Sequence, residues 1–141
     1  MRIAVIDGQG GGIGKAIVEK LRQCLGNDLE ILALGTNAIA TGLMLKAGAN
    51  QGASGENAII YNADKVDIII GSIAIVIANS MLGELSPNMA VAIGESPAKK
   101  YLIPLSKCNL TIIGVKNEPL PHYIEDVIAY IKNELESDCY V

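Results

Sequence analysis

The sequence has no phenylalanine and no tryptophan, and five tyrosines are its only aromatic residues. A core must therefore be built from aliphatic side chains, which are plentiful, because half of the 141 residues are hydrophobic and only 18% are charged. This composition is typical of a folded chain with a sizeable core rather than of a disordered one. Since no internal repeat or composition break divides it, we expect a single domain over residues 1–141.

Cysteine and histidine are also scarce. The three cysteines, Cys24, Cys108 and Cys139, are far apart, and His122 is the single histidine. Because a zinc site needs about four ligands, we expect no metal site. We expect ordinary core packing for Cys24 and Cys108 and a surface position for His122. Few, widely spaced cysteines are typical of a reducing compartment, which predicts a cytoplasmic protein.

Positive charge is in deficit, with 11 basic against 15 acidic residues and a net charge of −4. Without a cluster of basic residues, we expect no nucleic-acid partner. The two uncharged stretches, residues 31–45 and 68–82, are interrupted by Gly, Ser, Thr or Asn and are shorter than the ~20 apolar residues of a membrane helix. The amino terminus lacks the pattern of a signal peptide, so we expect no membrane partner either.

Apolar runs alternate with segments of helical period along the whole chain. We predict strands at residues 2–7, 29–34, 67–70, 89–93 and 110–115. We predict helices at residues 13–25, from a Thr36 or Asn37 cap to 46, from a Ser54 cap to 64, at 73–82 and at 119–136. A strand is the alternative at 73–82, residues 48–55 are expected to be a loop, and 99–104 are left open.

The predicted strands are continuous apolar runs, which indicates a sheet that is covered on both faces. Strands that alternate with helices favour parallel pairing. We therefore predict the α/β class, as a three-layer Rossmann-like domain with a mainly parallel sheet of about five strands.

Five of the 15 glycines lie at positions 8–14, between the first predicted strand and the first helix. A turn with so few side chains lets a phosphate approach the backbone, and N–H groups at the start of a helix point towards it. We therefore predict that the glycine loop (residues 8–14) binds a nucleotide, with Lys15 as an additional cation. The candidate binding residues are Asp7, Gly8, Gln9, Gly10, Gly11, Gly12, Ile13, Gly14, Lys15, Thr36, Asn37, Gly71 and Ser72.

Some of these residues have competing interpretations. Thr36 and Asn37 could be helix caps instead, and so could Ser72. Residues 94–100, with two lysines, could close over the ligand from the opposite side or could be a solvated turn.

Gly8, Gly12, Ile13 and Gly14 resemble the G-x-x-x-G-I-G motif of the short-chain dehydrogenases. This resemblance implies that the loop binds the pyrophosphate of NAD(P). Asp7 stands where that family usually has Thr or Ser, and no acid follows the second strand to hold a ribose. Tyr61-x-x-x-Lys65 has the spacing of the family's catalytic pair but comes too early in the chain, and a contact on a helix surface is the competing interpretation.

The segment G-G-x-G-K at residues 11–15 resembles the deviant Walker A loop, which implies binding of ATP or GTP. Gly10 replaces the signature lysine of that loop, and Ala16 replaces the hydroxyl that binds Mg²⁺. Asp67 opens a predicted strand, whereas a Walker B acid closes one.

Residues 5–14, 33–41 and 94–100 together resemble a bacterial family of about 140 residues that is classed as a domain of unknown function with a Rossmann-like sequence. The resemblance implies a stand-alone domain and brings no activity with it.

The function we expect is therefore binding of NAD(P) or a similar dinucleotide. The alternatives are a P-loop-like ATP- or GTP-binding protein and a non-catalytic module that senses a nucleotide, and catalysis is left open. The hydrophobic composition predicts an apolar surface patch that must be covered, so we expect a homo-oligomer, and a dimer first.

Overall fold

The computed structural model describes residues 1–105 and 109–138, so the predictions for Cys108 and Cys139 lie outside the described residues. One parallel sheet is formed by β1 (Arg2–Asp7), β2 (Glu30–Gly35), β3 (Gln51–Ser54), β4 (Ile68–Ser72) and β5 (Lys99–Ile103). The helices are α1 (Gly12–Leu25), α2 (Ala38–Ala47), α3 (Glu56–Asn62), α4 (Pro87–Glu95) and α5 (Leu120–Asp138). A short 3₁₀ helix covers Ile73–Val76.

The strand order is β3-β2-β1-β4-β5. The chain first adds strands on one side of β1 and then crosses to add β4 and β5 on the other side. In open α/β sheets, the general place for a ligand is outside the carboxyl ends of the strands where the direction reverses, which here is beside β1 and β4. The predicted three-layer α/β fold with a parallel sheet of about five strands is confirmed.

Aliphatic side chains cover both faces of the sheet, as the composition predicts. Ile3 and Val5 of β1 face the layer formed by α1, α2 and α5, and Ala4 and Ile6 face the layer of α3 and α4. All four are fully buried or nearly so. Both layers therefore fix the end of β1, which positions the glycine loop.

The predicted loop at residues 48–55 contains β3. This strand lies at one end of the described sheet, where only Ala53 is partly buried. Its main chain pairs with β2, with Gly52 opposite Ala33. The prediction is wrong here because an exposed strand needs no apolar pattern, and its glycine and polar residues look like a turn.

The predicted strand at residues 89–93 is part of α4. Ser86 caps this helix by accepting a hydrogen bond from the Met89 N–H at 3.2 Å, and Pro87 occupies the first turn. Met89 and Ile93, four residues apart, are buried on one helix face. The short run of apolar residues fits the period of a strand as well as that of a helix. The cap at Ser86 favours the helix.

The predicted strand at residues 110–115 is also wrong. This segment has no regular secondary structure, and Ile113 is 90% exposed. The fifth strand is instead β5, within the stretch that the sequence left open. Its two lysines interrupt the apolar pattern that would predict a strand. The strand is instead defined by its pairing with β4, where Ile70 is opposite Tyr101.

The predicted helix at residues 73–82 exists only as the 3₁₀ helix Ile73–Val76. Positive φ angles at Asn79, Met81 and Leu82 are incompatible with either a continued helix or the alternative strand. The other helices are confirmed, with α2 capped by Asn37 and α3 by Gly55 rather than Ser54. No helix in the described ranges is long and apolar enough to span a bilayer.

Candidate functional site

The glycine loop is a tight turn between β1 and α1. The Gly11 N–H donates to the Gly8 carbonyl at 3.0 Å, and both Gln9 and Gly11 have positive φ angles, of 47° and 77°. A Cβ atom on Gly11 would also lie 2.8 Å from the Ala40 Cα atom. This position therefore requires glycine for both its conformation and its packing.

The remaining glycines of the loop divide into packed and open positions. A Cβ atom on Gly8 would lie 2.4 Å from Thr36 Oγ1, and one on Gly14 would lie 2.7 Å from Met44 Sδ. At Gly10 and Gly12, by contrast, a Cβ atom would meet no atom within 4 Å. Two glycines thus allow the loop to pack against α2 and its neighbours, and the other two leave the backbone open to an approaching group.

The Asp7 carboxylate points inward, beneath the loop. It is buried and accepts hydrogen bonds from the Gly8 N–H at 2.8 Å and from the Gly14 N–H at 2.6 Å. Burial raises the pKa of Asp7, although the two N–H groups favour its charged form. The N–H groups of Gly8 and Gly14 are therefore occupied by Asp7.

Three N–H groups of the loop stay available. Within the described ranges, the N–H groups of Gly10, Gly12 and Ile13 make no hydrogen bond. Those of Gly12 and Ile13 belong to the first turn of α1, where no carbonyl of the helix can accept them. Lys15 is half-exposed in the same turn, 3.9 Å from Glu19. N–H groups in this arrangement, with a cation nearby, can bind an anion.

Glu84 also belongs to the candidate site, although the sequence pattern does not predict it. Its Oε1 atom accepts hydrogen bonds from the Gln9 N–H at 3.0 Å, Thr36 Oγ1 at 2.7 Å and Asn37 Nδ2 at 2.7 Å. These bonds, with that from Thr36 as the largest contribution, lower the pKa of Glu84. An ionised carboxylate therefore connects the glycine loop to the end of β2.

A signal for Glu84 is present in the sequence. It is the one charged residue between Asp67 and Glu95, in a stretch that is otherwise apolar, small or polar. A lone charge in such a stretch indicates a specific partner, because an unpaired charge among apolar residues is unfavourable. The partner itself could not be inferred, since Gln9 lies 75 positions away in the chain.

The segment of residues 79–85 carries Glu84 over the loop. It closes on itself through a hydrogen bond from the Asn79 N–H to the Leu85 carbonyl at 2.8 Å. Its Met81 sulfur lies against Gly8, where an added Cβ atom would come within 2.6 Å. The positive φ angles of Met81 and Leu82 are unfavourable by about 1–2 kcal/mol each, whereas asparagine, as at Asn79, tolerates this region; such strain is concentrated at functional sites.

The other candidate residues at strand ends have structural partners. The buried Ser72 hydroxyl accepts a hydrogen bond from the Ala74 N–H at 3.2 Å, which caps the 3₁₀ helix. A Cβ atom on Gly71 would lie 2.8 Å from the Ile6 carbonyl oxygen. Asn37 Oδ1 caps α2 by accepting from the Ala40 N–H at 2.9 Å. Of this group, Thr36 and Asn37 also contact the site, through Glu84.

Residues 94–100 do not lie over the glycine loop. Lys99 begins β5 and pairs with Ile68 at the start of β4, whereas the loop follows the end of β1. Because the strands are parallel, Lys99 lies at their amino-terminal ends, whereas the glycine loop lies at their carboxyl-terminal ends. The hypothesis that this segment closes over the ligand is therefore wrong.

Tyr61 and Lys65 form a surface contact on and just beyond α3. Lys65 Nζ lies 4.0 Å from the centre of the Tyr61 ring and donates to the Tyr61 carbonyl at 2.6 Å. The Tyr61 side chain is 61% exposed. The structure supports the helix-surface interpretation of this pair.

The single histidine and Cys24 also lie outside the site. His122 is exposed near the start of α5, where a hydrogen bond with Glu118 at 2.8 Å raises its pKa. Cys24 is partly buried and packs against the core, as expected. Among the described residues, no group of three or more His, Cys, Asp or Glu side chains is placed to hold a metal ion.

The strand order and the glycine turn at the end of β1 define a Rossmann-like α/β domain. The chain belongs to the family described as Domain of unknown function (DUF3842), which it matches over residues 2–136. This match agrees with the resemblance seen over the length of the sequence. No curated protein matches the chain.

Proposed function

We propose that this protein binds a nucleotide, NAD(P) or a similar dinucleotide, at the glycine loop. The observation that carries the proposal is the open backbone at Gly10 and Gly12, where added Cβ atoms would meet nothing within 4 Å. These glycines lie at the point where the strand order reverses, which is where open α/β sheets bind their ligands. Free N–H groups on Gly10, Gly12 and Ile13 are the donors for a pyrophosphate.

The charges around the loop favour a dinucleotide over a nucleoside triphosphate. Two carboxylates, Asp7 and Glu84, accept hydrogen bonds from N–H groups of the loop, and Lys15 in the first turn of α1 is itself 3.9 Å from the Glu19 carboxylate. A pyrophosphate diester carries less negative charge than a triphosphate, so it suffers less repulsion there. Ala16, at the position of the Mg²⁺-binding hydroxyl, also weighs against a Walker-type site.

Two alternatives keep specific support. The G-G-x-G-K segment favours a P-loop-like protein for ATP or GTP. The partners of the polar side chains favour a non-catalytic module that senses a nucleotide, because Thr36, Asn37 and Ser72 are each hydrogen-bonded within the fold. Binding without turnover, together with a ligand-dependent change in partner or oligomer, would distinguish this module from an enzyme.

We also propose a cellular location and an oligomeric state for the protein. We place it in the cytoplasm, in line with its few and widely spaced cysteines. We also propose a homo-oligomer, supported by apolar side chains such as Ile113 and Leu82, which are 90% and 97% exposed.

The test is a thermal-shift panel of NAD(H), NADP(H), ATP, GTP and flavins, followed by titration calorimetry on glycine variants. A Gly12→Ala substitution adds a methyl group where the phosphate must approach, and the fold has room for it. We expect this variant to keep or raise the melting temperature of the free protein and to weaken dinucleotide binding about tenfold or more.

Gly94→Ala is the matched control. Gly94 also belongs to a helix, and a Cβ atom there would also meet nothing within 4 Å, but it lies at the opposite edge of the sheet. We expect it to bind as the unmodified protein does. The absence of any ligand-linked rise in melting temperature at millimolar nucleotide would overturn the proposal. A nucleotide that co-purifies, identified by mass spectrometry, would name the ligand directly.

A further inference from the structure

Glu84 is hydrogen-bonded to residues that follow β2, the strand at whose end Rossmann domains usually bind a sugar. In these domains an acid at the end of the second strand accepts hydrogen bonds from the ribose beside the bound pyrophosphate. Here β2 ends in Gly35 and is followed by Thr36 and Asn37, so the chain offers no acid at that position. Glu84 supplies a carboxylate at the same end of β2 from a different segment, since it is hydrogen-bonded to both Thr36 and Asn37.

One oxygen of Glu84 is fixed and the other is free to bind. Oε1 accepts from the Gln9 N–H, Thr36 and Asn37, which holds the carboxylate between the loop and β2. The described residues donate no hydrogen bond to Oε2, and among them no buried side-chain oxygen lacks a partner. Oε2 is therefore reached by solvent, beside the backbone that we propose to hold the pyrophosphate.

The backbone conformation of residues 79–85 fixes the position of Glu84. The segment that carries Glu84 has left-handed conformations at Asn79, Met81 and Leu82 and closes through its own main-chain hydrogen bonds. Asn37 Nδ2 also donates to the Gln9 carbonyl at 3.0 Å, so the same amide joins Glu84 to the loop. Such a fixed acceptor suits a ligand group that donates hydrogen bonds and carries no negative charge.

We propose that Glu84 accepts hydrogen bonds from the ribose hydroxyls next to the pyrophosphate and thereby selects NAD(H) over NADP(H). This inference rests on the proposed function. The 2′- and 3′-hydroxyls of an unphosphorylated ribose donate hydrogen bonds to the carboxylate, whereas a 2′-phosphate would place a charge of about −1.5 to −2 against it.

The test compares the affinities for NAD⁺ and NADP⁺, measured by titration calorimetry on the unmodified protein and on Glu84→Gln. The glutamine Oε1 can still accept the three hydrogen bonds, so the segment is expected to stay folded, which circular dichroism and thermal melting check. We expect the unmodified protein to bind NAD⁺ at least about tenfold more tightly. We expect Glu84→Gln to reduce the ratio of NAD⁺ affinity to NADP⁺ affinity about tenfold, because NAD⁺ binding becomes weaker and NADP⁺ binding becomes stronger.

Glu95→Gln removes the same charge at the opposite edge of the sheet and is expected to leave the ratio unchanged. A ratio that Glu84→Gln does not move would overturn the assignment. An equal rise in the affinities for NAD⁺ and NADP⁺ would overturn the assignment as well, because Glu84 would then oppose the binding of both ligands alike. A preference of the unmodified protein for NADP⁺ would overturn it without any variant.

The two proposals fail in different ways. If both dinucleotides bind, and Gly12→Ala weakens both while Glu84→Gln leaves their ratio unchanged, the loop assignment stands and the role of Glu84 falls. If neither dinucleotide binds, the proposed dinucleotide function falls and the inference falls with it.

Discussion

The Asp7 carboxylate has two opposing effects at the start of α1. It satisfies the N–H of Gly14, and a negative charge at a helix amino terminus is favourable. It is also buried, which disfavours the charged form and raises its pKa. Because the folded state then holds a proton more tightly than the unfolded state, the contribution of Asp7 to stability must depend on pH.

We predict the direction of that dependence for Asp7→Asn, a variant that cannot titrate at this position. Between the ordinary pKa of 3.8 and the raised folded pKa, the folded state binds more protons than the unfolded state. The free energy of unfolding of the unmodified protein, minus that of the variant, should therefore fall as pH rises through this window and then level off. Urea unfolding at a series of pH values, followed by circular dichroism, measures the difference. A difference that rises with pH would contradict the prediction.

Single residues also show how far the sequence predicts the site. The glycine loop was predictable because its residues are consecutive in the chain. A glycine-rich turn between a strand and a helix exposes backbone N–H groups, which is visible from the sequence pattern alone. The inward direction of Asp7 was not predictable, because it depends on the free N–H of Gly14, which only the folded turn brings within reach. Glu84 was missed because its three partners are brought together only by the order of the strands.

Among the elements, the segment of residues 79–85 combines strain with exposure. Leu82 has a φ angle of 57° and a side chain that is 97% exposed, so little packing compensates for its backbone conformation. A left-handed conformation is unfavourable for a residue with a Cβ atom, and glycine adopts it readily. The conformation is held instead by the hydrogen bonds that place Glu84.

We predict that Leu82→Gly leaves the free energy of unfolding unchanged or raises it by up to about 1 kcal/mol, because relief of strain offsets the greater flexibility of the unfolded chain. Leu45→Gly in α2 is the control, since Leu45 is an exposed leucine as well, at 40%, but lies within a helix. It should lower stability by about 1 kcal/mol or more. Denaturant unfolding of both variants provides the comparison, and equal losses would show that Leu82 is not strained.

At the same scale, capped or strongly periodic elements were predictable and exposed or short ones were not. The buried strand β1 and the helix α1 follow directly from their apolar patterns. β5 was left open because Lys99 and Lys100 mask a strand that only pairing with β4 reveals. The run at residues 89–93 was misassigned because five apolar residues fit a strand as well as one face of a short helix.

On the scale of the whole molecule, the candidate site lies at the carboxyl ends of the strands, and an exposed apolar segment follows β5 in the chain. Residues 110–115 follow β5 and expose Leu110, Ile112, Ile113 and Val115, at 36% to 90%. β5 is also the last strand of the described sheet on that side. An exposed apolar segment of this kind is a surface that a second copy of the chain can cover.

We therefore predict a homodimer that depends on this segment. Size-exclusion chromatography with light scattering should give twice the chain mass at micromolar concentrations, and Ile113→Lys should shift the protein towards the monomer, because a buried lysine without a partner is unfavourable in an interface. Val91→Lys places the same charge on the exposed side of α4, where Val91 is 54% exposed, and should leave the dimer intact. A monomer at all concentrations would contradict the dimer itself. A dimer that tolerates Ile113→Lys but is broken by Val91→Lys would place the interface on the α4 face instead.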